Sequence, residues 1–313
     1  MTIINKTLLV TFLLFTFSSS FANAANIEQF SILRDNNSPI KSQLVKSNSS
    51  SQSILLYIQD SKCKSSATQF FELTKSINST IAKLYVEKTG ESDVQKKHGM
   101  CSESFLSNSS IDQRISDYQK VITHLRKTAD WWDKKLYIIG EAEGGLIAGL
   151  LAANTPETTK LAILSFGGGM TMSEAWIASL AKSMQAEGKS AVQIDEMQQN
   201  AKQFFNDKIS KSTSKSELAT NITFKWWASV VDVRLSDTLS KIDFPIYIAH
   251  GTDDTKIPVE SAQQVSDLFS TLGKENLVYN EYTGSIKKVN KCHSNSSNAT
   301  NSVFTEAVNW LIN

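Results

Sequence analysis

The sequence has little charge imbalance, few cysteines and none of the common metal-binding motifs. Its 313 residues include 32 Lys and Arg against 31 Asp and Glu, so the formal net charge is +1. This balance provides no field of one sign for nucleic acid or an acidic membrane surface. Spacings such as CxxC or HExxH, which hold metals, do not occur. We therefore expect no nucleic-acid partner, no metal and no cofactor.

The main apolar run lies near the N-terminus and is short. It covers residues 7–17 (TLLVTFLLFTF), follows Lys6 and precedes Ala22-Asn23-Ala24. This order is typical of a bacterial signal peptide, and the run is shorter than the roughly 20 apolar residues that span a bilayer. We expect residues 1–24 to be removed and residues 25–313 to be exported, periplasmic or secreted, without stable membrane insertion. A retained anchor is the alternative.

Export changes the interpretation of the three cysteines, which are Cys63, Cys101 and Cys292. In an oxidising compartment two of them would pair, although the number of cysteines alone does not choose the pair. Cys63 lies after the end of a predicted buried strand, residues 53–59. On this basis we expect a Cys63–Cys101 disulfide and a reduced Cys292.

Short apolar runs alternate with helical patterns along most of the chain. Helical spacing of apolar residues occurs over residues 111–128, and a small-residue helix is predicted over 146–153. Strand-like runs occur at residues 53–59, 84–86, 136–139, 161–165 and 246–249. This alternation predicts an α/β fold with a mostly parallel sheet. The polar residues 25–52 are expected to form an edge hairpin or a loose arm.

Residues 170–224 differ from the rest of the chain. They are rich in Lys, Gln, Ser and Glu and have helical spacing without a strand-like run. We expect a helical cap inserted over the sheet, with Trp176, Phe204 and Phe205 as its buried side chains. A flexible linker is the alternative.

The clearest motif is Gly140-Glu141-Ala142-Glu143-Gly144-Gly145, which follows the strand at 136–139 and opens the helix at 146–153. A G-x-S-x-G motif in this position forms a nucleophile elbow, a strained turn between a strand and a helix. The flanking glycines remove Cβ atoms that would collide in this turn. Here the central residue is Ala142.

With this motif the chain resembles the α/β-hydrolase superfamily, in particular a secreted branch related to prolyl-oligopeptidase-like and dienelactone-type hydrolases. Residues 56–66 (LYIQDSKCKSS) resemble the oxyanion loop of the family, and residues 250–258 (HGTDDTKIP) resemble the HGxxDxxVP turn that supplies the catalytic acid. The resemblance implies an α/β-hydrolase fold, with helices on both faces of the sheet and a cap.

The resemblance also implies a catalytic site. Ala142 takes the nucleophile position, Asp254 matches the acid, and His293, which precedes the last predicted helix, matches the base. The oxyanion hole would be formed by the backbone amides of Ser61 and Glu143. Two alternatives remain: Asp254 as a turn-forming residue and His293 as an isolated surface histidine.

Two departures from the family bear on function. Alanine at position 142 has no nucleophilic atom, and Asp60 and Lys62 stand where the family tends to have glycines. One hypothesis is a pseudoenzyme that binds a small-molecule ester or peptide in a capped pocket. The alternative is a serine hydrolase of esters or peptides seen as a Ser-to-Ala variant. Slow hydrolysis by a water that His293 activates is a weaker third possibility.

Overall fold

A computed structural model describes residues 27–46, 49–75, 77, 80–91, 101–219, 222–284 and 303–313. Eight strands form one sheet in the order β1-β2-β4-β3-β5-β6-β9-β10. β1 and β2 form an antiparallel hairpin, β2 is antiparallel to β4, and every other neighbouring pair is parallel. The strands are β1 (Ile27–Leu33), β2 (Pro39–Val45), β3 (Gln52–Ile58), β4 (Ile81–Val86), β5 (Trp132–Glu141), β6 (Thr158–Leu164), β9 (Ile246–Gly251) and β10 (Leu277–Tyr282).

Helices connect most of the parallel strands. A π-helical turn, Phe205–Ile209, continues the helix α6 (Ala191–Phe204), and a two-stranded ribbon of β7 (Leu218–Ala219) and β8 (Ile222–Thr223) follows it. The α-helices are α1 (Ala67–Leu73), α2 (Glu103–Asn108), α3 (Ile111–Thr128), α4 (Glu143–Ala152), α5 (Met172–Ala186), α6 (Ala191–Phe204), α7 (Phe224–Ala228), α8 (Ser236–Leu239), α9 (Glu260–Thr271) and α10 (Val303–Ile312).

The central strands are buried on both faces. Successive side chains of a strand point to opposite faces, so Leu56 packs in the core beneath α3, α4 and α9, while Leu55 and Tyr57 pack in a second core beneath α1 and α10. Burial on both faces explains why β3 is a continuous apolar run rather than an alternating one. The fold class predicted from the sequence, an α/β sheet with helices on both faces, is confirmed.

The N-terminal segment and the 172–228 segment have more strand structure than the sequence predicted. Residues 27–45 form the edge hairpin rather than a loose arm. The segment predicted to be helical contains α5 and α6, but it also contains the β7–β8 ribbon, where a run without strands was expected. These strands have two residues each, too short to leave an alternating pattern in the sequence. None of the helices in the described residues has the length and apolar character that a membrane span requires.

Candidate functional site

Ala142 lies on the turn between β5 and α4, and its backbone is strained. Its φ of 52° and ψ of −121° lie in a region that non-glycine residues rarely adopt. The Ala142 amide donates to the carbonyl of Leu164 at 2.8 Å, and its carbonyl accepts from the amide of Gly145 at 2.8 Å. These two bonds anchor the turn, so the sequence motif forms the elbow geometry although its central residue is alanine.

Two glycines permit the close packing of this turn. A Cβ on Gly140 would lie 2.1 Å from the carbonyl oxygen of Gly144, and a Cβ on Gly144 would lie 2.0 Å from the carbonyl oxygen of Ile58. Both separations are far below van der Waals contact. The absence of these Cβ atoms therefore allows the N-terminus of α4 to approach the end of β3, where the next part of the site begins.

The loop that follows β3 contains Asp60, Ser61 and Lys62. Asp60 Oδ1 accepts from the backbone amide of Lys62 at 3.1 Å, and its Oδ2 lies 2.9 Å from Lys62 Nζ. Burial acts to raise the pKa of Asp60, but the hydrogen bond and charge of Lys62, assisted by Lys88, outweigh it and lower the pKa. Asp60 is thus an ionised carboxylate turned back onto its own loop, where it occupies one backbone amide.

Two buried cations lie behind this loop. Arg114 of α3 donates to the carbonyl of Gln59 at 2.8 Å and pairs with Glu143 at 2.5 Å. Lys88 donates to the carbonyl of Asp60 at 2.8 Å and to that of Lys62. Arg114 and Lys88 are 4% and 7% exposed, so both cations belong to the interior. They connect the loop to α3, to the start of α4 and to the end of β4.

A disulfide anchors the far end of the same loop. Cys63 and Cys101 are bonded, with their Cα atoms 5.5 Å apart, across 38 residues of chain. Ser102, next to Cys101, caps the N-terminus of α2 by accepting from the amide of Phe105. The pairing expected from the sequence is confirmed, and it ties the loop after β3 to the start of α2. Cys292 lies outside the described residues.

Asp254 lies in the turn after β9, and hydrogen bonds within this turn stabilise its conformation. Asp254 Oδ1 accepts from the amides of Lys256 at 2.8 Å and Ile257 at 3.1 Å. His250 donates from Nε2 to the Ile257 carbonyl at 2.9 Å, and burial of the ring lowers the pKa of His250. Asp254 therefore does shape its turn, as the alternative interpretation held, while only its Oδ1 is used in doing so.

One cavity of about 480 Å³ joins these parts. Ser61, Ala142, Glu143 and Asp254 all line it, whereas the adjacent Asp253 does not. The apolar part of the lining comes mainly from the 172–228 segment. It consists of Phe166, Met172, Trp176, Ile222, Trp226 and Trp227. A groove of about 570 Å³, lined by α5 and the turn of residues 252–258, continues from it and shares Trp176 and Asp254.

Four of the five residues predicted for the catalytic site and oxyanion hole therefore meet around one space. The fifth, His293, lies outside the described residues. The amides of Ser61 and Glu143 donate to none of the described residues. Ser165, at the end of β6, lines the same cavity with a φ of 54°. A second strained residue beside Ala142 is consistent with the tendency of strain to gather at functional sites.

The sequence analysis missed Lys88, Arg114 and Ser165. Neither cation belongs to a short motif, and each contacts the loop across 26 to 55 residues of chain. The only signal available was the presence of a charged residue inside otherwise apolar or helical segments, and that signal does not separate a buried cation from an exposed one. Among the described residues, no cluster of three or more His, Cys, Asp or Glu is placed to hold a metal ion.

Known proteins share the fold of this chain. Residues 97–285 match the family described as serine aminopeptidase, S33. No curated protein matches the chain in a sequence search. Among solved structures, an open-form lipase superposes with a TM-score of 0.59 at 14% identity, covering 92% of this chain and 98% of the lipase.

Two esterases superpose to a similar degree. A thermostable carboxyl esterase of Bacillus coagulans gives a TM-score of 0.58 at 11% identity, covering 92% of this chain and 99% of the esterase. An esterase of Pyrococcus furiosus gives 0.57 at 12% identity, covering 92% of each chain. At these identities the superpositions establish a shared fold.

Proposed function

Since the chain belongs to the serine aminopeptidase S33 family of the α/β-hydrolase superfamily, we propose that it binds an ester or peptide without cleaving it. A working member of this superfamily attacks a carbonyl carbon with the hydroxyl at the elbow and forms an acyl-enzyme. The methyl group of Ala142 offers no oxygen for this attack. In this proposal the protein still binds the substrate of such an enzyme but no longer forms the acyl-enzyme.

The observation that carries the proposal is the state of the elbow. Ala142 sits in the strained conformation that would present a nucleophile, and it lines the same cavity as Ser61, Glu143 and Asp254. The amides of Ser61 and Glu143 are available as donors to a ligand oxygen. In the proposal they hold the carbonyl oxygen of an intact ester or amide, as the first step of hydrolysis would require.

The charges around the cavity favour a neutral carbonyl over a developing oxyanion. Asp60 brings a carboxylate to the loop, and its pairing with Lys62 offsets that charge without adding a free cation. The aromatic wall of the 172–228 segment suits an apolar acyl or side chain, which buries its surface there. In this proposal the segment is the cap, and the ligand lies between the cap and the loop.

Under the alternative, the chain is a serine hydrolase whose serine has been replaced at position 142. The strained backbone of Ala142 favours this alternative, because an alanine gains nothing from a conformation that exposes its side chain. Serine at this position would attack, His293 would act as base and then acid, and Asp254 would orient the histidine. The Oδ2 of Asp254 accepts from none of the described residues and is available for this role.

Binding without turnover is measured with a matched pair of probes. Butyl butyrate should quench the fluorescence of the cavity tryptophans in a saturable way and be recovered intact. Dibutyl ether, which has the same apolar shape without the carbonyl, should bind about tenfold more weakly, because two donated hydrogen bonds are lost. Equal affinity for the two probes, or enzymatic release of butyrate by the unmodified chain, would contradict the proposal.

Restoring the nucleophile separates the two candidate functions. The unmodified chain should not react with a fluorophosphonate. We expect Ala142→Ser to hydrolyse butyl butyrate only slowly, because the carboxylate of Asp60 opposes the developing oxyanion and occupies the Lys62 amide. Adding Asp60→Gly and Lys62→Gly should raise kcat by about 10²-fold, the usual effect of one oxyanion-hole donor. Full esterase activity from Ala142→Ser alone would favour the replaced serine hydrolase.

A further inference from the structure

The loop of residues 59–63 (QDSKC) contains no glycine, and three of its carbonyl groups point to buried cations. Arg114 holds the carbonyl of Gln59, while Lys88 holds those of Asp60 and Lys62. In the family that the chain resembles, this loop is usually glycine-rich, and glycine tolerates backbone angles that other residues avoid. Here hydrogen bonds from the interior fix the backbone of a loop that has no such freedom.

The direction of each carbonyl determines the direction of the next amide. The described peptide bonds are trans, and in a trans peptide the C=O and the following N–H point in opposite directions. Since the carbonyl of Asp60 points to Lys88 in the interior, the amide of Ser61 points away from it. Ser61 lines the cavity, and Lys88 does not. The Lys88 side chain thus lies behind the peptide group whose amide is the predicted oxyanion-hole donor.

We propose that Lys88 is a positioning residue that turns the Ser61 amide toward the cavity and thereby builds the carbonyl-binding end of the site. The binding of a carbonyl by this amide rests on the proposed function, whereas the orientation of the amide is a property of the loop alone. Phe105 of α2 lies over the amine at 5.5 Å, near the disulfide. Lys88 is thus fixed by a ring on one side and two carbonyls on the other.

This arrangement makes the loop sensitive to pH. Burial lowers the pKa of Lys88 to about 7, and the charge of Arg114 acts in the same direction, while nearby carboxylates oppose it. The charged groups around the amine are Arg114, Glu91, Glu143 and Asp60. As pH rises through 7 the amine loses its proton, and its hydrogen bonds to the two carbonyls lose their charge assistance. The Ser61 amide should be held most firmly below pH 7.

Amide NMR of the ¹⁵N-labelled oxidised protein tests the positioning without any ligand. Between pH 5.5 and 8.5, the Ser61 and Cys63 amide resonances should shift with a common midpoint near 7. This midpoint should vanish in Lys88→Met, and the Ser61 resonance should also move at low pH because the carbonyls lose their donor. Lys83→Met is the matched control. It removes another buried lysine, one that donates to the Ile77 carbonyl and not to the loop.

If Lys88→Met does not fold, Lys88→Arg is the variant to measure. Arginine keeps the positive charge and does not titrate between pH 5.5 and 8.5. It should abolish the midpoint while the Ser61 resonance stays near its low-pH position. A midpoint that persists in Lys88→Arg would overturn the proposal. So would a Ser61 resonance that responds equally to Lys83→Met and Lys88→Met.

Binding of butyl butyrate provides a second measurement. The Kd of the unmodified chain should rise by about tenfold between pH 6 and pH 8.5, as the charged hydrogen bonds to the loop weaken. In Lys88→Arg the Kd should stay constant over this range. If the ester fails to bind at any pH while the NMR midpoint follows Lys88, the proposed function fails and the positioning role stands.

Discussion

Ala142 has the backbone conformation of a nucleophile but lacks a nucleophilic side chain. Its backbone angles are those of a nucleophile elbow, held by bonds to Leu164 and Gly145, yet its side chain offers no chemistry. A non-glycine residue in this region costs on the order of 1–3 kcal/mol. In an active enzyme the strained turn serves to present the nucleophile to the substrate. In the binding protein proposed above, the strain is a cost without a covalent function.

This strain leads to a stability prediction. Ala142→Gly should raise the free energy of unfolding by about 1 kcal/mol, because glycine adopts a positive φ without a Cβ penalty. The measurement is urea denaturation of the oxidised protein. Ala148→Gly, in the interior of α4, is the matched control and should lower stability by about 1 kcal/mol or more. A destabilised Ala142→Gly variant would mean that the elbow is unstrained in solution.

At the scale of elements, the site depends on how the loop after β3 is fastened. Arg114 of α3 and Lys88 after β4 each donate hydrogen bonds to it, Glu143 of α4 pairs with Arg114, and the disulfide ties its end to the residue before the α2 cap. Its carbonyls are directed by buried cations and its end is fixed by a covalent bond. A loop without glycine can thus be held in one conformation by its neighbours.

The disulfide should contribute strongly to stability. Its 38-residue separation corresponds to about 3–4 kcal/mol in the chain-entropy model. The double variant Cys63→Ser and Cys101→Ser should lose about this much free energy of unfolding, measured by urea denaturation. Cys292→Ser is the matched control and should leave stability unchanged. Peptide mapping that links Cys292 to either of the other cysteines would contradict this pairing.

At the scale of the whole molecule, the disulfide suits an oxidising compartment outside the cytoplasm. This agrees with the proposed signal peptide of residues 1–24. We predict that the mature chain begins near Ala25 and is recovered outside the cytoplasm. N-terminal sequencing of exported protein checks this. Exported protein that still begins at Met1 would count against cleavage.

The central elements were predictable because each leaves a local pattern. Buried parallel strands are continuous apolar runs, and α3 has helical spacing over its observed length, Ile111–Thr128. β10 was missed because it is the last strand of the sheet and its side chains are half-exposed, so its sequence, LVYNEY, forms no apolar run. α1 was missed because seven residues are too few for a helical period to stand out.

The parallel strands of the sheet, the glycines of the elbow and the missing nucleophile could all be inferred from the amino-acid sequence. These follow from residue types and from spacing within short segments. The folded chain was needed to show that Asp60 turns back onto Lys62 and that Lys88 and Arg114 hold the loop from the interior. These features depend on contacts across tens of residues and on burial, which sets both the pKa of Lys88 and the direction of the Ser61 amide. Local sequence carries neither quantity, because both arise only when distant segments pack together.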